Sequence, residues 1–264
     1  MARSTSYYPR AREQKRQRER ELLDQIETIL AEHPCYGYRP VTHELKRRGV
    51  IVNHKVVQRL MKQSGLSRQA LKKFIATTDS KHGYAIYPNL YRNQRALAPN
   101  QIWLADITYI QLRDHTIFLA AILDAYSRRV IGWALSRSLH AGVVVEALKQ
   151  ALKHRTPLPG CIHHSDRGVQ YACGEYTDLL KQHGIQISMS RSGNPRDNGM
   201  MERFVRTLKY EEVYLTEYAD EREALARIRH FIDHVYNQER LHSRLGYVPP
   251  VEFETQYYQP ALTP

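Results

Sequence analysis

The chain has 264 residues, 42% of them hydrophobic and 25% charged, which indicates a globular protein with one large or two modest domains. No apolar run approaches the length of a membrane span, so no membrane partner is expected, and three cysteines do not make a disulfide framework, which indicates a reducing cytoplasm. The net charge of +12 is uneven, because residues 1–80 hold 17 lysines and arginines against 8 acidic residues and the remainder holds 22 against 19. A basic module therefore precedes a nearly neutral one, and nucleic acid is the simplest partner for the basic module.

The basic module begins with residues 1–20, which we interpret as a basic arm or as the exposed start of a helix. Three short helices are predicted within residues 21–75, with Gly49 ending the second, Asn53 capping the third and Gly65 ending it. This pattern fits a helix-turn-helix domain that binds DNA, although a helical bundle with a merely solvated polar face is the alternative. The candidate DNA-contacting residues of this domain are Arg47, Arg48, Lys55, Arg59 and Lys62.

Residues 76–99 show no clear periodicity of hydrophobic residues and are interpreted as a linker. From residue 100, the runs "QIWLADITYIQL", "TIFLAAILDAYS" and "RRVIGWALS" predict three strands in an antiparallel meander. The core continues to residue 218 with a helix, a fourth strand, a helix, a fifth strand and a last helix. The fourth strand is predicted to be parallel to a central strand. The order β-β-β-α-β-α-β-α predicts an α/β, ribonuclease H-like fold with a mixed five-stranded sheet. Residues 219–264 are predicted to pack on the core as an amphipathic helix over residues 219–240, with Leu225 among its apolar residues, followed by a tail of loops and a short turn.

Three carboxylates of the core are candidates for a metal site. Asp106 lies in the middle of an apolar strand, where a lone carboxylate is costly to bury, and Asp166 ends the fourth strand. If these strands are neighbours, both acids reach one edge of the sheet, and Glu202, on the helix that opens near Asn198, could complete a triangle. Converging carboxylates favour divalent cations, and hard oxygen ligands select Mg²⁺ or Mn²⁺. Two such ions support phosphodiester chemistry, whereas each acid taken alone could be an ordinary surface or turn residue.

Four other side chains near these acids leave alternatives open. Asp124 could be a fourth carboxylate near the metals, although a turn residue is favoured. His164 either supports the site or is a packed, hydrogen-bonded histidine. Arg206 and Lys209 follow Glu202 on the same side of its helix, which suits a phosphate backbone beside a metal ion. The alternative there is an i,i+4 Glu–Arg pair on a solvated helix.

Several segments carry a resemblance to a known family. "WLADITYI", "HHSDRGVQY" and "SMSRSGNPRDNGMMERFVRTLK" resemble the catalytic segments of insertion-sequence transposases of the retroviral-integrase superfamily, and most closely those of the second-reading-frame product of the group called insertion sequence three. Asp166 and Glu202 are separated by 35 residues, the Asp-Asp-35-Glu spacing of that superfamily. "YGYRPVTHELKRRGVIVNHKVVQRLMKQSGL" is similar to the family's helix-turn-helix, and "YNQERLHSRLGYVPPVEF" to its C-terminal signature.

The resemblance implies a polynucleotidyl transferase in which Asp106, Asp166 and Glu202 hold two Mg²⁺ or Mn²⁺ ions and Lys209 contacts the element end. It implies cleavage of the element ends and joining of the freed 3′-hydroxyl to double-stranded DNA by a homo-oligomer. Because the family's active protein is commonly a fusion with an upstream reading frame, the upstream-frame protein is a further candidate partner. The alternative functions are a DNA-binding regulator or inhibitor of transposition that needs that partner for catalysis, and a ribonuclease H-type nuclease of the same fold.

Removal of residues 1–75 should weaken DNA binding and flatten its dependence on salt, because these residues carry most of the excess positive charge. The measurement is the Kd for a labelled duplex over a series of salt concentrations, for the full chain and the truncated chain. An unchanged salt slope would argue against a DNA-binding role for this module.

Overall fold

The chain divides into two compact units between Lys73 and Phe74. A computed structural model describes residues 7–66 of the first unit and residues 85–259 of the second. The predicted linker lies outside the described residues as far as residue 84.

The described part of the first unit contains three helices: α1 (Tyr7–Glu32), α2 (Tyr38–Arg47) and α3 (His54–Gln63). Because α1 begins at Tyr7, most of the predicted basic arm is helical, and residues 12–20 are largely exposed, in agreement with the second of the two interpretations. The Asn53 side chain accepts a hydrogen bond from the Lys55 N–H at 2.9 Å, so the predicted cap of α3 is confirmed. Gly49 and Gly65 follow α2 and α3 with φ values of +84° and +69°, where glycine is favoured, and both predicted helix ends are confirmed.

The second unit is built on a mixed sheet of five strands in the order β3-β2-β1-β4-β5. The strands are β1 (Ile102–Gln111), β2 (Thr116–Asp124), β3 (Val130–Ser136), β4 (Ile162–Ser165) and β5 (Gln186–Met189). The first three form an antiparallel meander, β4 pairs with β1 in parallel, and β5 pairs with β4 in parallel. The predicted ribonuclease H-like arrangement of strands is therefore confirmed.

Helices cover both faces of this sheet. They are α4 (Ala141–His154), α5 (Val169–Ala172), α6 (Gly174–Gln182), α7 (Gly199–Glu211), α8 (Glu221–His230) and α9 (Pro250–Tyr258). On one face, α4, α5 and α6 pack with Trp103 and Ala105 of β1. On the other face, α7 and α8 pack with Leu104 and Ile110. Because side chains alternate along a strand, Asp106 lies on the α7 face of the sheet.

The C-terminal region differs from its prediction in three respects. The predicted tail of loops contains α9, which Pro250 begins because its fixed φ suits the first helical position. The predicted long helix changes from α8 into a π-helix over Phe231–Glu239. Leu225, one of the apolar residues of the predicted helix, is 38% exposed because Ala224, one residue earlier, occupies the buried position of α8 instead.

Both edges of the sheet are bonded by other parts of the chain. At the β3 edge, Asn237 of the π-helix accepts from the Val130 N–H and donates to the Val130 carbonyl, both at 3.0 Å. Gln150 of α4 accepts a second N–H group of β3. At the other edge, the Pro88 carbonyl accepts the Met189 N–H at 3.4 Å. Edge groups that would otherwise be open to another strand are therefore occupied at these positions.

Replacing Asn237 by Ala should lower the free energy of unfolding by about 2–4 kcal/mol, because it leaves the buried N–H and carbonyl of Val130 without partners. Asn237 is only 5% exposed, so water reaches these groups poorly. The measurement is a urea titration followed by circular dichroism.

The matched control for this measurement is Gln182→Ala, an exposed position near the end of α6. It should change the free energy of unfolding by no more than about 0.5 kcal/mol. Equal losses for the two variants would refute the role of Asn237.

Candidate active site

The parallel pairing of β1 with β4 brings Asp106 and Asp166 to the same level of the sheet. In this pairing Leu104 lies opposite His164. Asp106 and Asp166 each come two residues later in the chain. Asp166 directly follows β4, whereas Asp106 lies in the middle of β1. The structure therefore brings these two predicted residues together where the short strand ends.

A hydrogen bond fixes the start of α7 next to Asp106. The side-chain amide of Asn198 donates to the Ala105 carbonyl at 2.9 Å, so the residue before α7 is bonded to the residue before the carboxylate. The predicted apolar face of α7, with Met201 and Phe204 among its residues, is buried against the sheet. Glu202 lies off this face and is exposed. The helix thus presents Glu202 at the solvent side of the two strand carboxylates.

Asp166 and Glu202 both repel the carboxylate of Asp106. Burial raises the pKa of Asp106 to about 8, and the charges of Asp166 and Glu202 contribute to this increase. Burial also raises the pKa of Glu202, against the lowering effect of Arg206. A group of this kind favours uptake of a proton or a cation.

Backbone hydrogen bonds orient both strand carboxylates. Oδ1 of Asp106 accepts the Ile107 N–H at 2.9 Å, and Oδ1 of Asp166 accepts the Gly168 N–H at 2.8 Å. A Cβ atom at Gly168 would lie 3.0 Å from this Asp166 oxygen, so a side chain there would crowd it. The absence of a side chain at Gly168 therefore leaves space for the Asp166 carboxylate in this orientation.

The chemistry of these side chains fits a hard divalent cation such as Mg²⁺ or Mn²⁺. Nearby, three buried oxygens have no hydrogen-bond partner among the described residues: Thr108 Oγ1, Tyr171 Oη and Asn198 Oδ1. Orphaned oxygens of this kind suit ordered water, including water bound to an ion. Within residues 7–66 and 85–259, however, no three His, Cys, Asp or Glu side chains lie close enough to hold an ion as they stand. Ion binding would therefore have to draw the carboxylates together.

The two basic residues of α7 differ in position. Arg206 is exposed beside Glu202, and the described residues show no ion pair between the two. Lys209 is only 3% exposed, and its Nζ lies 4.0 Å from the centre of the Tyr109 ring. Burial lowers the pKa of Lys209 to about 8, against the opposing effect of Asp106. The sequence places Glu202, Arg206 and Lys209 on one side of the helix, but Lys209 is inside the protein and supplies positive charge to Asp106.

Sequence reasoning missed the residue that closes the loop before α7. Asp197 accepts three hydrogen bonds from Arg191: from the guanidinium at 2.9 and 3.0 Å and from the backbone N–H at 3.0 Å. The side-chain amide of Asn89 donates a fourth, at 3.0 Å. Because Asp197 precedes Asn198, this network holds the segment that positions Glu202. The only sequence signal is an aspartate within a turn-rich segment.

The structure decides two of the alternatives left open by the sequence. His164 is fully buried, with Nδ1 2.8 Å from Ser188 Oγ and Nε2 3.0 Å from Ser190 Oγ. Burial lowers the pKa of His164 to about 4, so it is neutral at pH 7, and the packed, hydrogen-bonded interpretation is confirmed. Asp124 accepts the backbone N–H groups of Tyr126 and Ser127 in the turn after β2, and also that of Asn100 before β1, so its interpretation as a turn residue is confirmed.

In the first unit, the candidate DNA-contacting residues divide by their ion pairs. Arg47, Arg48 and Arg59 each pair with a glutamate of the same unit, at 3.9, 2.9 and 2.6 Å. Lys55 and Lys62 are exposed on α3 and form no ion pair within residues 7–66. The two lysines therefore present the least compensated charge of the five.

Known proteins match both units. Residues 17–74 match a family model described as HTH-like domain, and residues 96–195 and 183–250 match models described as Integrase core domain. The chain is 38% identical to the transposase for insertion sequence element IS904 of Lactococcus lactis subsp. lactis (strain IL1403), over 92% of this chain and 97% of that protein. The chain belongs to the insertion-sequence transposases. It is also 34% identical to transposase InsF for insertion sequence IS3A of Escherichia coli (strain K12), over 84% of this chain and 77% of InsF.

The fold of this transposase is also that of solved integrases. The structure of a simian T-cell lymphotropic virus intasome, in complex with PP2A regulatory subunit B56 gamma, matches 84% of this chain and 72% of that chain, with a TM-score of 0.52 and 18% identity. The predicted membership of the retroviral-integrase superfamily is confirmed by the integrase core match. In the described ranges, no helix has the length and apolar character needed to cross a membrane.

Replacing Asp197 by Asn should remove a contribution to stability that depends on pH. The Arg191 side chain holds the pKa of Asp197 well below its usual value of 3.8. The contribution of ionised Asp197 to the free energy of unfolding is therefore complete above about pH 5 and is lost as the pH falls below about 4. The difference in free energy of unfolding between the native protein and the variant should therefore shrink as the pH is lowered through this range.

The measurement is chemical unfolding at several pH values between about 3 and 7. Asp178→Asn is the control, because Asp178 is exposed and, among residues 7–66 and 85–259, pairs only with exposed Lys181. A difference for Asp197→Asn that does not vary with pH would exclude the ionised Asp197–Arg191 pair as its source.

Proposed function

We propose that this protein cleaves the ends of its insertion sequence and joins the freed 3′-hydroxyl to DNA, with Asp106, Asp166 and Glu202 as the catalytic carboxylates. The observation that carries this proposal is their placement: two carboxylates level on neighbouring parallel strands, and a third on the helix bonded to the same strand. The repulsion of Asp106 by Asp166 and Glu202 supports a cation-binding role. Membership of the transposase family gives the reaction class.

In the joining step, the 3′-hydroxyl attacks a phosphorus atom of a DNA strand, and a new phosphodiester bond forms as an existing one breaks. Two bound Mg²⁺ or Mn²⁺ ions would activate the attacking oxygen and stabilise the leaving oxygen. Asp106 and Asp166 would hold the ions from the rigid sheet, and Glu202 from the exposed side, where DNA can approach. Lys209, buried beside Tyr109, would favour the ionised form of Asp106.

The first unit would hold the DNA on which the core acts. Lys55 and Lys62 are its best candidates for phosphate contacts, because no carboxylate of the described residues neutralises them. Double-stranded DNA, as element ends and target, is the proposed partner. Two ends must meet for joining, so we also propose a homo-oligomer on DNA.

Replacing Asp166 by Asn should abolish strand cleavage while leaving DNA binding within about twofold, because the change removes a cation ligand without altering the basic surfaces. The measurement is a denaturing gel of labelled DNA that carries the element ends, incubated with and without Mg²⁺. Binding is measured in parallel by fluorescence anisotropy.

The control variant is Asp178→Asn, an exposed aspartate of α6, which should cleave normally. Cleavage by the Asp166→Asn variant would refute the assigned carboxylates. Binding without cleavage by the unaltered protein, with cleavage restored by the upstream-frame fusion, would support the regulator that needs a partner.

A further inference from the structure

Three segments of the second unit converge on Tyr236 of the π-helix. The ring of Tyr236 is buried and meets Phe204 of α7 edge-on, with ring centroids 4.9 Å apart. On another side it meets the ring of His242, also edge-on and at 4.9 Å. The next residue, Asn237, holds the start of β3 through its two hydrogen bonds to Val130. The start of α7, the β2–β3 turn and the segment after the π-helix are therefore neighbours.

Each of these segments carries an arginine. Arg203 lies between Glu202 and Phe204 on α7, Arg244 comes two residues after His242, and Arg128 lies in the β2–β3 turn. Arg203 and Arg244 are exposed, and Arg128 is half-buried. Burial lowers the pKa of Arg128, and the charges of Arg203 and Arg244 lower it further, so both of these guanidinium groups lie close enough to act on Arg128.

This arginine cluster lacks the compensation that other arginines of the unit receive. Among the described residues, none of its three members forms an ion pair with a carboxylate. By contrast, Arg155 pairs with Glu254 at 2.6 Å, and Arg240 pairs with Glu211 at 2.7 Å. Clustered like charges without a counter-charge are unfavourable, so the arrangement suits an external anion.

We propose that Arg128, Arg203 and Arg244 form a phosphate-binding site that holds the DNA backbone beside Glu202. Guanidinium groups bind phosphate oxygens in a two-pronged geometry, and three of them on three segments match a polyanion better than a single small anion. Arg203 adjoins Glu202 in sequence, which places the bound backbone next to the carboxylate that faces solvent. The inference rests on the proposed function, because the DNA held here is the DNA on which Glu202 would act.

The test measures how the affinity for DNA depends on salt. The probe is a fluorescein-labelled duplex of about 30 base pairs with random sequence, titrated by anisotropy at several KCl concentrations in EDTA. Every protein in the assay is the full chain with Lys55→Gln and Lys62→Gln, so that DNA binding by the first unit hides less of the DNA binding by the core. Adding Arg203→Gln and Arg244→Gln should lower the slope of log Kd against log salt by about 2, since each lost phosphate contact removes about 0.9.

Two further variants separate charge from structure. Arg203→Lys with Arg244→Lys should retain most of the slope, because the positive charges remain. Arg113→Gln is the matched control: Arg113 is exposed in the β1–β2 hairpin, at the far end of β2 from the Arg128 turn, and forms no ion pair within residues 85–259. It should leave the slope unchanged.

An unchanged slope for the glutamine pair, or an equal loss for Arg113→Gln, would overturn the inference. Should the glutamine pair fail to fold, the single variants Arg203→Gln and Arg244→Gln should each lower the slope by about 1, and no loss in either would equally overturn it. Because the assay contains no divalent ion, it does not depend on cleavage. Cleavage by Asp166→Asn would therefore refute the proposed function alone, and an unchanged slope would refute the arginine site alone.

Discussion

The parallel register between β1 and β4 is the constraint on which the candidate site depends. Because Leu104 lies opposite His164, Asp106 and Asp166, two residues later on each side, lie level with each other where β4 ends. A slip of one residue would turn the side chains of one strand to the opposite face and separate the acids. The helix that carries Glu202 depends on the same strand, because its start is bonded to the Ala105 carbonyl. One backbone register therefore aligns residues from three distant parts of the chain.

The site concentrates negative charge that the protein only partly offsets. Burial and two neighbouring carboxylates raise the pKa of Asp106, and the cation that opposes this is Lys209, itself buried and with a lowered pKa. In the proposed function, such a site would stabilise a bound cation at the expense of the stability of the protein itself. The surroundings supply the rigidity, through the Asp197–Arg191 bonds and the neutral, doubly hydrogen-bonded His164.

The sequence predicts the sheet well because its strands are short apolar runs bounded by turns, and it predicts Asp106 as a site residue because a carboxylate interrupts such a run. It does not predict the burial of Lys209, since helical spacing alone cannot show which of several residues lies under a strand. It does not predict the π-helix. It does not predict α9 either, because prolines near Pro250 are typical of turns as well as of helix starts. Asn237 could not be predicted either, since its partner Val130 lies 107 residues away.

The occupied edges of the sheet limit how copies of this transposase can assemble. A strand from a second copy that paired at Val130 would have to displace the Asn237 side chain, and one that paired with the Met189 N–H would have to displace the Pro88 carbonyl. Backbone pairing between protomers would thus break bonds that already exist within each one. Association of protomers is therefore expected to use side chains of the outer helices or the DNA itself. In the proposed joining reaction, an assembly of that kind could be taken apart afterwards without disrupting the sheet that holds the carboxylates.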